Sequence, residues 1–208
     1  MDTVPSPSDN ASNKPIGYWH RQFGYTPATV SSHGVAFLQG MHDAGVATTV
    51  KHFPGLGRVQ GNTDFSAGVK DTVTTADDPY LAPFEDGIAA GTEAVMTSTA
   101  IYTKIDPAVP GAFSRAVVTG LLRGKLGFHG VVVTDDLSSA KQVAAWTPGQ
   151  RAVKAIAAGN DIVLAGVPEQ IPAMTAAVVA QAKADPAFAK QVDAAATRVV
   201  TAKQHLAD

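Results

Sequence analysis

The sequence predicts an α/β fold, and two features of its 208 residues lead to that prediction. Four short apolar runs lack the alternation of half-exposed strands, which is typical of strands buried on both faces of a parallel sheet. These runs cover residues 47–53, 93–99, 130–134 and 161–165. Helix-like segments precede the last three runs, and each segment ends at a glycine. Strands that alternate with helices in this way indicate a parallel sheet covered by helices.

The spacing of the runs favours a barrel over an open sheet. A (β/α)8 barrel of about 250 residues uses about 31 residues for each strand and helix. The four runs start 46, 37 and 31 residues apart, so four units account for residues 47–208. We therefore predict the C-terminal half of a TIM-type (β/α)8 barrel. The alternative is a doubly wound open sheet, which usually carries a G-x-G-x-x-G motif that this sequence lacks.

The remaining segments are predicted from turn and capping residues. Residues 1–16 are rich in Pro, Ser, Asn and Asp, which is typical of irregular structure. Thr26 followed by Pro27 indicates the start of a helix that ends near Gly45. We predict a loop or linker over residues 1–25, then a helix and four βα units over 26–208. The βα helices are predicted at 79–90, 115–126 and 150–158, with two closing helices at 168–184 and 186–206.

Composition excludes several classes of protein. With 45% hydrophobic and 16% charged residues, most of the chain is not intrinsically disordered. The formal net charge of −2 lacks the basic excess of proteins that bind nucleic acid. Without cysteine there are no disulfides, thiol nucleophiles or zinc–thiolate sites. No apolar run is long enough to span a bilayer, and no signal peptide follows Met1, so the sequence does not identify a compartment.

Ionisable side chains follow two of the predicted strands, at the sheet edge where parallel α/β folds concentrate function. Asp135 and Asp136 follow one strand, where one carboxylate can face a cleft while the other caps the next turn. Lys51 and His52 end another strand. Lys51 can bind a ligand, form a structural ion pair or act as a Schiff-base nucleophile, whereas a histidine at His52 is often only a satisfied core residue.

Two further residues are candidates because of their surroundings. Asp64 lies in a long polar loop, residues 58–67, where it is either functional or a turn residue. Arg21 lies among aromatic residues and can bind a carboxylate or sugar hydroxyls, or stack on a ring. No metal-binding motif is present, and we interpret the other histidines as solvated or structural: His33, His42, His129 and His205, with His33 and His42 on the first helix.

Three segments together resemble the family 3 glycoside hydrolases. They read I-G at 16–17 with R-Q-F at 21–23, K-H-F-P-G-L-G at 51–57 and V-T-D-D-L at 133–137. The closest subgroup is the bacterial single-barrel β-N-acetylglucosaminidases, also called β-hexosaminidases. The likeness covers nearly the whole chain from residue 3, in the family's order. Family members begin with about four more βα units, so the resemblance implies a partial catalytic domain.

The resemblance implies a role for each candidate residue. Asp135 matches the catalytic nucleophile, and Asp64 matches the Asp of an Asp-x-His dyad whose His is the general acid/base. This sequence has Ser66 at the position of that His, and its loop is two residues longer, so Asp64 itself is the candidate acid/base. The residues implied to bind or line the first sugar subsite are Arg21, Lys51, His52 and Met96.

The implied activity is that of a retaining exo-glycosidase. It would remove terminal β-linked N-acetylglucosamine from glycosides such as cell-wall fragments, without a metal or organic cofactor, in a bacterial cytoplasm or cell envelope. The alternative is a half barrel that binds sugar without turnover. Because a half barrel exposes two sheet edges, we also expect association with the missing half or with another copy of the chain.

Overall fold

A computed structural model describes residues 1–205, without the side chain of His205. It contains five strands and five α-helices. The strands are β1 (Thr49–Phe53), β2 (Lys70–Asp71), β3 (Ala94–Thr97), β4 (Ile101–Tyr102) and β5 (Val131–Thr134). The helices are α1 (Pro27–Asp43), α2 (Ala82–Ala89), α3 (Pro148–Ala158), α4 (Ile171–Ala184) and α5 (Pro186–His205), with a π-helix at Ala116–Lys125. The predicted end of the last helix at Leu206 lies outside the described residues.

The main sheet has the parallel order β1-β3-β5. Val95 of β3 lies between Val50 of β1 and Val132 of β5 in the register. Beyond β5, Ile162 makes a parallel bridge to Val133. Within this sheet, each strand therefore lies beside the next one along the chain, as in successive units of a barrel. A doubly wound sheet would instead reverse its order at a switch point.

The fourth predicted strand, residues 161–165, is reduced to that single bridge. The amides of Thr134 and Leu137 donate to Ile162 and Leu164, each at 3.0 Å. In return the amide of Leu164 donates to the hydroxyl of Thr134 at 3.1 Å and not to a backbone carbonyl. The side-chain acceptor breaks the ladder, so the run follows β5 without forming a continuous strand. The two-residue strands β2 and β4 were not predicted, because two residues carry no readable period.

The predicted helices are found where the capping residues place them. Thr26 caps α1 by accepting the amide of Thr29 at 3.1 Å. Thr147 and Gln150 form a capping box at the start of α3. The helical segments before β1, β3, β5 and the fourth run end at glycines with φ between +67° and +114°, a conformation that other residues rarely adopt: Gly45, Gly91, Gly127 and Gly159. The segment predicted at 115–126 is a helix of the wider π type.

The strand residues divide between two faces. Val50, Val95 and Val132 pack with side chains of the surrounding helices, including Leu38 of α1 and Phe84 of α2. Because side chains alternate along a strand, Met96 of β3 and Val133 of β5 face the other side, which is the inner face of a barrel. Helices thus pack on one face of the sheet, and the candidate residues follow the carboxyl ends of the strands.

The segment before α1 is irregular but packed. It contains two short 3-10 turns, Pro7–Asp9 and Gly17–Trp19. Val4 and Ile16 are buried in a core cluster with Leu56. The side-chain amide Nδ2 of Asn13 donates to the carbonyls of Leu56 and Val59, both at 2.7 Å. These contacts fix the segment against the turn after β1, so it does not run free of the fold as a linker would.

At the opposite end of the strands, Asp161 joins the last helix to the sheet through ion pairs. Its buried carboxylate accepts from Arg123 at 2.7 Å and from Arg198 of α5 at 2.8 Å. The pair of guanidinium groups neutralises the carboxylate and anchors the last helix to the sheet. No helix among residues 1–205 is long and apolar enough to cross a membrane.

Candidate active site

Asp135 lies where β5 ends, at the carboxyl edge of the sheet. Its backbone amide donates to the carbonyl of Thr97 at 2.9 Å, which continues the pairing of β5 with β3. Its side chain is half-buried, and its Oδ1 accepts the amide of Asp136 at 2.9 Å. The carboxylate is therefore held by one local bond and keeps acceptor positions for a ligand.

Asp136 has a structural role. It accepts hydrogen bonds from the backbone amides of Ser138, Ser139 and Gly166 at 2.9–3.0 Å, and from both serine hydroxyls. Partial burial alone would raise the pKa of Asp136, but these bonds outweigh it and lower the pKa far below its usual range. The carboxylate ties the end of β5 to the end of the fourth run. The two adjacent aspartates thus have separate tasks, one structural and one open.

His52 is buried at the end of β1 and paired with Asp2. Its Nδ1 lies 2.7 Å from Oδ2 of Asp2, whose Oδ1 accepts the amide of Leu56 at 2.6 Å. Burial would raise the pKa of Asp2, but His52, the N-terminal ammonium group and the amide of Leu56 lower it well below its usual range. With Nδ1 bound to the carboxylate, Nε2 is the ring nitrogen left for a ligand.

An irregularity in β1 places Lys51 and His52 at the site. Val50 pairs with Val95 and Phe53 with Thr97, so β1 has one more residue than β3 in this interval. Such a bulge changes the direction of the side chains it carries. His52 is buried against Asp2, whereas Lys51 is exposed.

Arg21, Lys51 and His52 lie together beside a groove of about 260 Å³ between β1 and α1, which apolar side chains of α1 also line. A guanidinium nitrogen of Arg21 donates to the carbonyl of Pro15 at 2.8 Å, which orients the guanidinium group while the residue stays exposed. Three of the predicted substrate-binding residues therefore meet at one place. Asp64, Met96 and Asp135 do not line this groove.

Asp64 is exposed on its loop and lies within electrostatic range of Asp135. Although the residue is exposed, the surrounding protein partly desolvates its carboxyl group and raises the pKa of Asp64, and the negative charges of Asp135 and Asp136 raise it further. His52 and Arg21 oppose this rise with smaller effects. A raised pKa keeps a carboxyl protonated at higher pH, which a general acid requires.

The Asp64 loop, residues 58–67, has a local turn that also involves Asp64. The amide of Asp64 donates to the side chain of Asn62 at 2.8 Å, and the amide of Ser66 donates to the carbonyl of Asn62 at 2.9 Å. Asp64 therefore belongs to a turn, and its carboxyl group also lies within electrostatic range of the candidate nucleophile, so its catalytic role stays a prediction. Ser66 is exposed two residues away. Its hydroxyl is too weak an acid to replace an imidazole near neutral pH.

Sequence reasoning missed two residues of this region, Asp2 and Gln142. Asp2 binds His52 across 50 positions, and Gln142 binds the end of the Asp64 loop across 73. No local pattern marks either residue, because each takes its meaning from a distant partner. Met96 is half-buried in β3 beside Val133, so its predicted place near the sugar remains a prediction. Within residues 1–205 no three acidic or histidine side chains converge as a metal site.

Comparison with known proteins identifies the family. Residues 8–202 match the glycosyl hydrolase family 3 N terminal domain. The chain belongs to glycoside hydrolase family 3. This confirms the resemblance carried by the K-H-F-P-G-L-G and V-T-D-D-L segments.

Curated relatives of this family 3 chain include two bacterial β-hexosaminidases. The protein from Stenotrophomonas maltophilia is 38% identical over 163 residues, which are 76% of this chain and 47% of that protein. The protein from Xylella fastidiosa strain M23 is 41% identical over 130 residues, 62% of this chain and 38% of that protein. The chain thus spans about half the length, or less, of the curated relatives it matches.

Solved structures confirm the predicted α/β half-barrel fold. β-N-acetylhexosaminidase from Beutenbergia cavernae superposes with a TM-score of 0.96 at 58% identity, covering 98% of this chain and 61% of that one. A family 3 β-N-acetylglucosaminidase from Paenibacillus sp. FPU-7 gives a TM-score of 0.85 at 32% identity, covering 99% of this chain and 39% of that one.

Proposed function

We propose that the chain forms the catalytic face of a retaining exo-glycosidase that removes terminal β-linked N-acetylglucosamine. The observation that carries this proposal is that two carboxyl groups lie within electrostatic range of each other at the carboxyl edge of the sheet. Asp135 has acceptor positions free at the end of β5, and its negative charge is one of the causes that raise the pKa of Asp64. Glycoside hydrolases generally use two carboxyl groups, one as nucleophile and the other as general acid/base. We infer the identity of the sugar from the names of the relatives, which are β-hexosaminidases and β-N-acetylglucosaminidases.

The two carboxyl groups act together in each of two steps. In the first step Asp135 attacks the anomeric carbon, the bond to the leaving oxygen breaks, and Asp64 gives its proton to that oxygen. In the second step the Asp64 carboxylate takes a proton from water, and the water oxygen displaces Asp135 from the anomeric carbon. The sugar leaves with its configuration retained, and Asp64 is protonated again.

In this proposal, three polar side chains beside the groove hold the sugar. Lys51, Arg21 and the Nε2 nitrogen of His52 offer hydrogen bonds to ring hydroxyls, and cationic donors make such bonds stronger than neutral ones. Asp2 keeps the imidazole of His52 in place. Met96 supplies an apolar contact from β3. The natural source we propose is N-acetylglucosamine in cell-wall fragments.

The sugar-binding alternative without turnover is favoured by one observation. Ser66 stands where the resemblance expects the acid/base histidine, so leaving-group protonation depends on Asp64 alone. Binding of N-acetylglucosamine without hydrolysis of an aryl glycoside would support this alternative. The Schiff-base alternative is weaker, because the Lys51 ammonium group is exposed and lacks the burial that activates such lysines.

Partners belong to the proposal as well. Ile162 and Leu164 are 37% and 40% exposed along the far edge of the sheet. Apolar side chains on a sheet edge favour pairing with another chain. We propose that this edge associates with further barrel units or with a second copy of the chain.

The proposal is tested with the chain and with a chimaera. In the chimaera, this chain replaces the matching part of the Beutenbergia cavernae protein, which supplies the part of its own chain that this chain does not cover. A 2-fluoro-2-deoxy glycosyl fluoride should label one peptide that contains Asp135, as measured by mass spectrometry. Labelling of another peptide, or inversion at the anomeric carbon by NMR, contradicts the assignment.

A further inference from the structure

The Asp64 loop is attached to the segment that follows Asp135. The amide of Lys141 donates to the carbonyl of Asp64 at 3.1 Å, and the amide of Gln142 donates to that of Thr63 at 3.0 Å. Both donors belong to the short 3-10 helix Lys141–Val143, which begins six residues after Asp135. The backbone on either side of the candidate acid is therefore bonded to the segment that carries the candidate nucleophile.

Gln142 completes this attachment with its side chain. Its Oε1 accepts the amide of Val69 at 2.9 Å, and its Nε2 donates to the carbonyl of Val69 at 3.0 Å. The side chain thus pairs with both backbone groups of one residue, as a neighbouring strand would. Gln142 is 5% exposed, so water does not compete for these bonds.

We infer that Gln142 is a positioning residue that fixes Asp64 opposite Asp135. This inference rests on the proposed function, since it gives the loop contact a catalytic purpose. Two hydrogen bonds hold the loop at Thr63 and Asp64, and two more, both from one buried side chain, hold Val69 just after the loop. The turn at Asn62 is local to the loop and sets its shape only. The distance between the two carboxyl groups depends on the bonds to the 3-10 helix.

The charges around Asp64 give the inference a distinctive readout. Asp135 and Asp136 face it from the end of β5, His52 from the end of β1 and Arg21 from the segment before α1. Lys141 is exposed on the 3-10 helix beside the loop. Release of the loop would move Asp64 into water and away from the two aspartates. The neighbouring negative charges would then no longer favour the protonated form, and the pKa of Asp64 would fall.

The first variant is Gln142→Met, which keeps the length of the side chain and removes both bonds to Val69. Gln191→Met is the control, since Gln191 lies on α5 at the opposite end of the strands. Hydrogen exchange of the 208-residue chain tests the attachment without any need for activity. We expect at least tenfold faster exchange of the Val69 and Lys141 amides in Gln142→Met, and no change in the control.

Kinetics of the chimaera then test the catalytic purpose. Gln142→Met should lower kcat on N,N′-diacetylchitobiose by about 10- to 100-fold, a part of what general acid catalysis contributes. The loss on the dinitrophenyl glycoside should be several times smaller, and the alkaline limb of the pH profile should move to lower pH. A merely structural role would lower both rates equally and leave the pH profile in place.

Gln142→Glu keeps the test decisive if Gln142→Met fails to fold. A protonated carboxyl can still accept from and donate to Val69, whereas the ionised form loses the donor. Relative to the parent at the same pH, we expect near-parental exchange of the Val69 amide at low pH and faster exchange at high pH, where the ionised carboxylate repels the Val69 carbonyl. Unchanged exchange in both variants overturns the inference. A different outcome is faster exchange in Gln142→Met together with an Asp64→Ala variant whose loss of activity does not depend on the leaving group. That outcome overturns both the catalytic purpose of the attachment and the proposed role of Asp64.

Discussion

Asp2 and His52 form a buried pair, with 2.7 Å between the carboxylate Oδ2 and the imidazole Nδ1. The same carboxylate accepts the amides of His52 and Leu56, so it fixes both the ring and the turn that follows β1. A carboxylate behind an imidazole selects which ring nitrogen carries the proton. The pair therefore links the segment before α1 to the groove where the sugar is proposed to bind.

We predict that Asp2→Asn lowers stability at pH 7 by about 2 kcal/mol, the size of charge-assisted hydrogen bonds in proteins. The folded state lowers the pKa of Asp2 below the value of 3.8 that an unperturbed aspartate has. The stabilisation is therefore fully present above that value and is lost as the pH falls below it. Urea unfolding at pH 7 and pH 3 measures the difference.

The control for this prediction is Asp43→Asn, at the exposed end of α1. Its unfolding free energy should stay within about 0.5 kcal/mol of the parent, as for most surface changes. A difference between Asp2→Asn and the parent that is no smaller at pH 3 than at pH 7 would contradict the linkage argument.

Adjacent aspartates should respond differently to the same substitution. Asp135→Asn should abolish turnover in the chimaera and leave the melting temperature nearly unchanged, because Asp135 makes only one local hydrogen bond through its side chain. Asp136→Asn should lower stability by about 1–3 kcal/mol, since an amide cannot accept all the donors that surround Asp136. Thermal unfolding and aryl glycoside hydrolysis separate the two effects. Equal loss of stability in both variants would show that the assigned roles are wrong.

The sequence predicted those parts of the fold that depend on local chemistry. A glycine with positive φ after each helical segment, or Thr26 before Pro27, marks a boundary through its own conformational preference. The fourth strand was wrongly predicted because its pairing depends on Thr134, whose hydroxyl replaces a ladder acceptor. Asp135 was predictable from its place at a strand end.

The supporting contacts of the site could not be predicted in the same way. Asp2 reaches His52 across 50 positions, and Gln142 reaches Val69 across 73. Neither contact has a spacing that a helix or strand period can reveal. They exist because the barrel order brings the ends of β1 and β5 to one edge, which follows from the tertiary fold alone.

Self-association should depend on the far edge of the sheet. We predict that the 208-residue chain sediments as dimers or larger species at micromolar concentration, because the side chains of Ile162 and Leu164 are exposed beside β5. The double variant Ile162→Lys with Leu164→Lys should shift the distribution toward monomer. Ile171→Lys on α4 is the control. Ile171 is exposed to a similar degree, 47%, and its substitution should have no effect. A monomeric parent chain contradicts the prediction.

Asp64→Ala should separate substrates by their leaving groups. General acid catalysis contributes about 10²- to 10⁴-fold, and a dinitrophenolate scarcely needs it. We therefore expect a loss of that size on N,N′-diacetylchitobiose in the chimaera and a much smaller loss in glycosylation by the dinitrophenyl substrate. Azide should accelerate the second step of the variant, because an anion attacks the glycosyl-enzyme without base assistance. Product analysis should find the β-glycosyl azide.

Asn62→Ala is the control for Asp64→Ala. It removes the side-chain acceptor of the Asp64 amide and keeps both carboxyl groups. A general effect of loop damage would appear in this control as well, with no azide rescue. If Asp64→Ala lowers both substrates equally and azide has no effect, Asp64 is only a turn residue.

Ser66→His should restore part of the acid function if the loop presents position 66 to the leaving group. An imidazole titrates near pH 6.5, so it can both donate and accept a proton near neutral pH, which a serine hydroxyl cannot. We expect a higher kcat on N,N′-diacetylchitobiose and a new limb in the pH profile near that value, with little change on the dinitrophenyl glycoside. The neighbouring exposed variant Ala67→His is the control, since it adds the same group one position away. Equal gains in both variants would indicate a general effect of added histidine. No gain in either would mean that the longer loop directs position 66 away from the leaving oxygen, and that Asp64 alone supplies the proton.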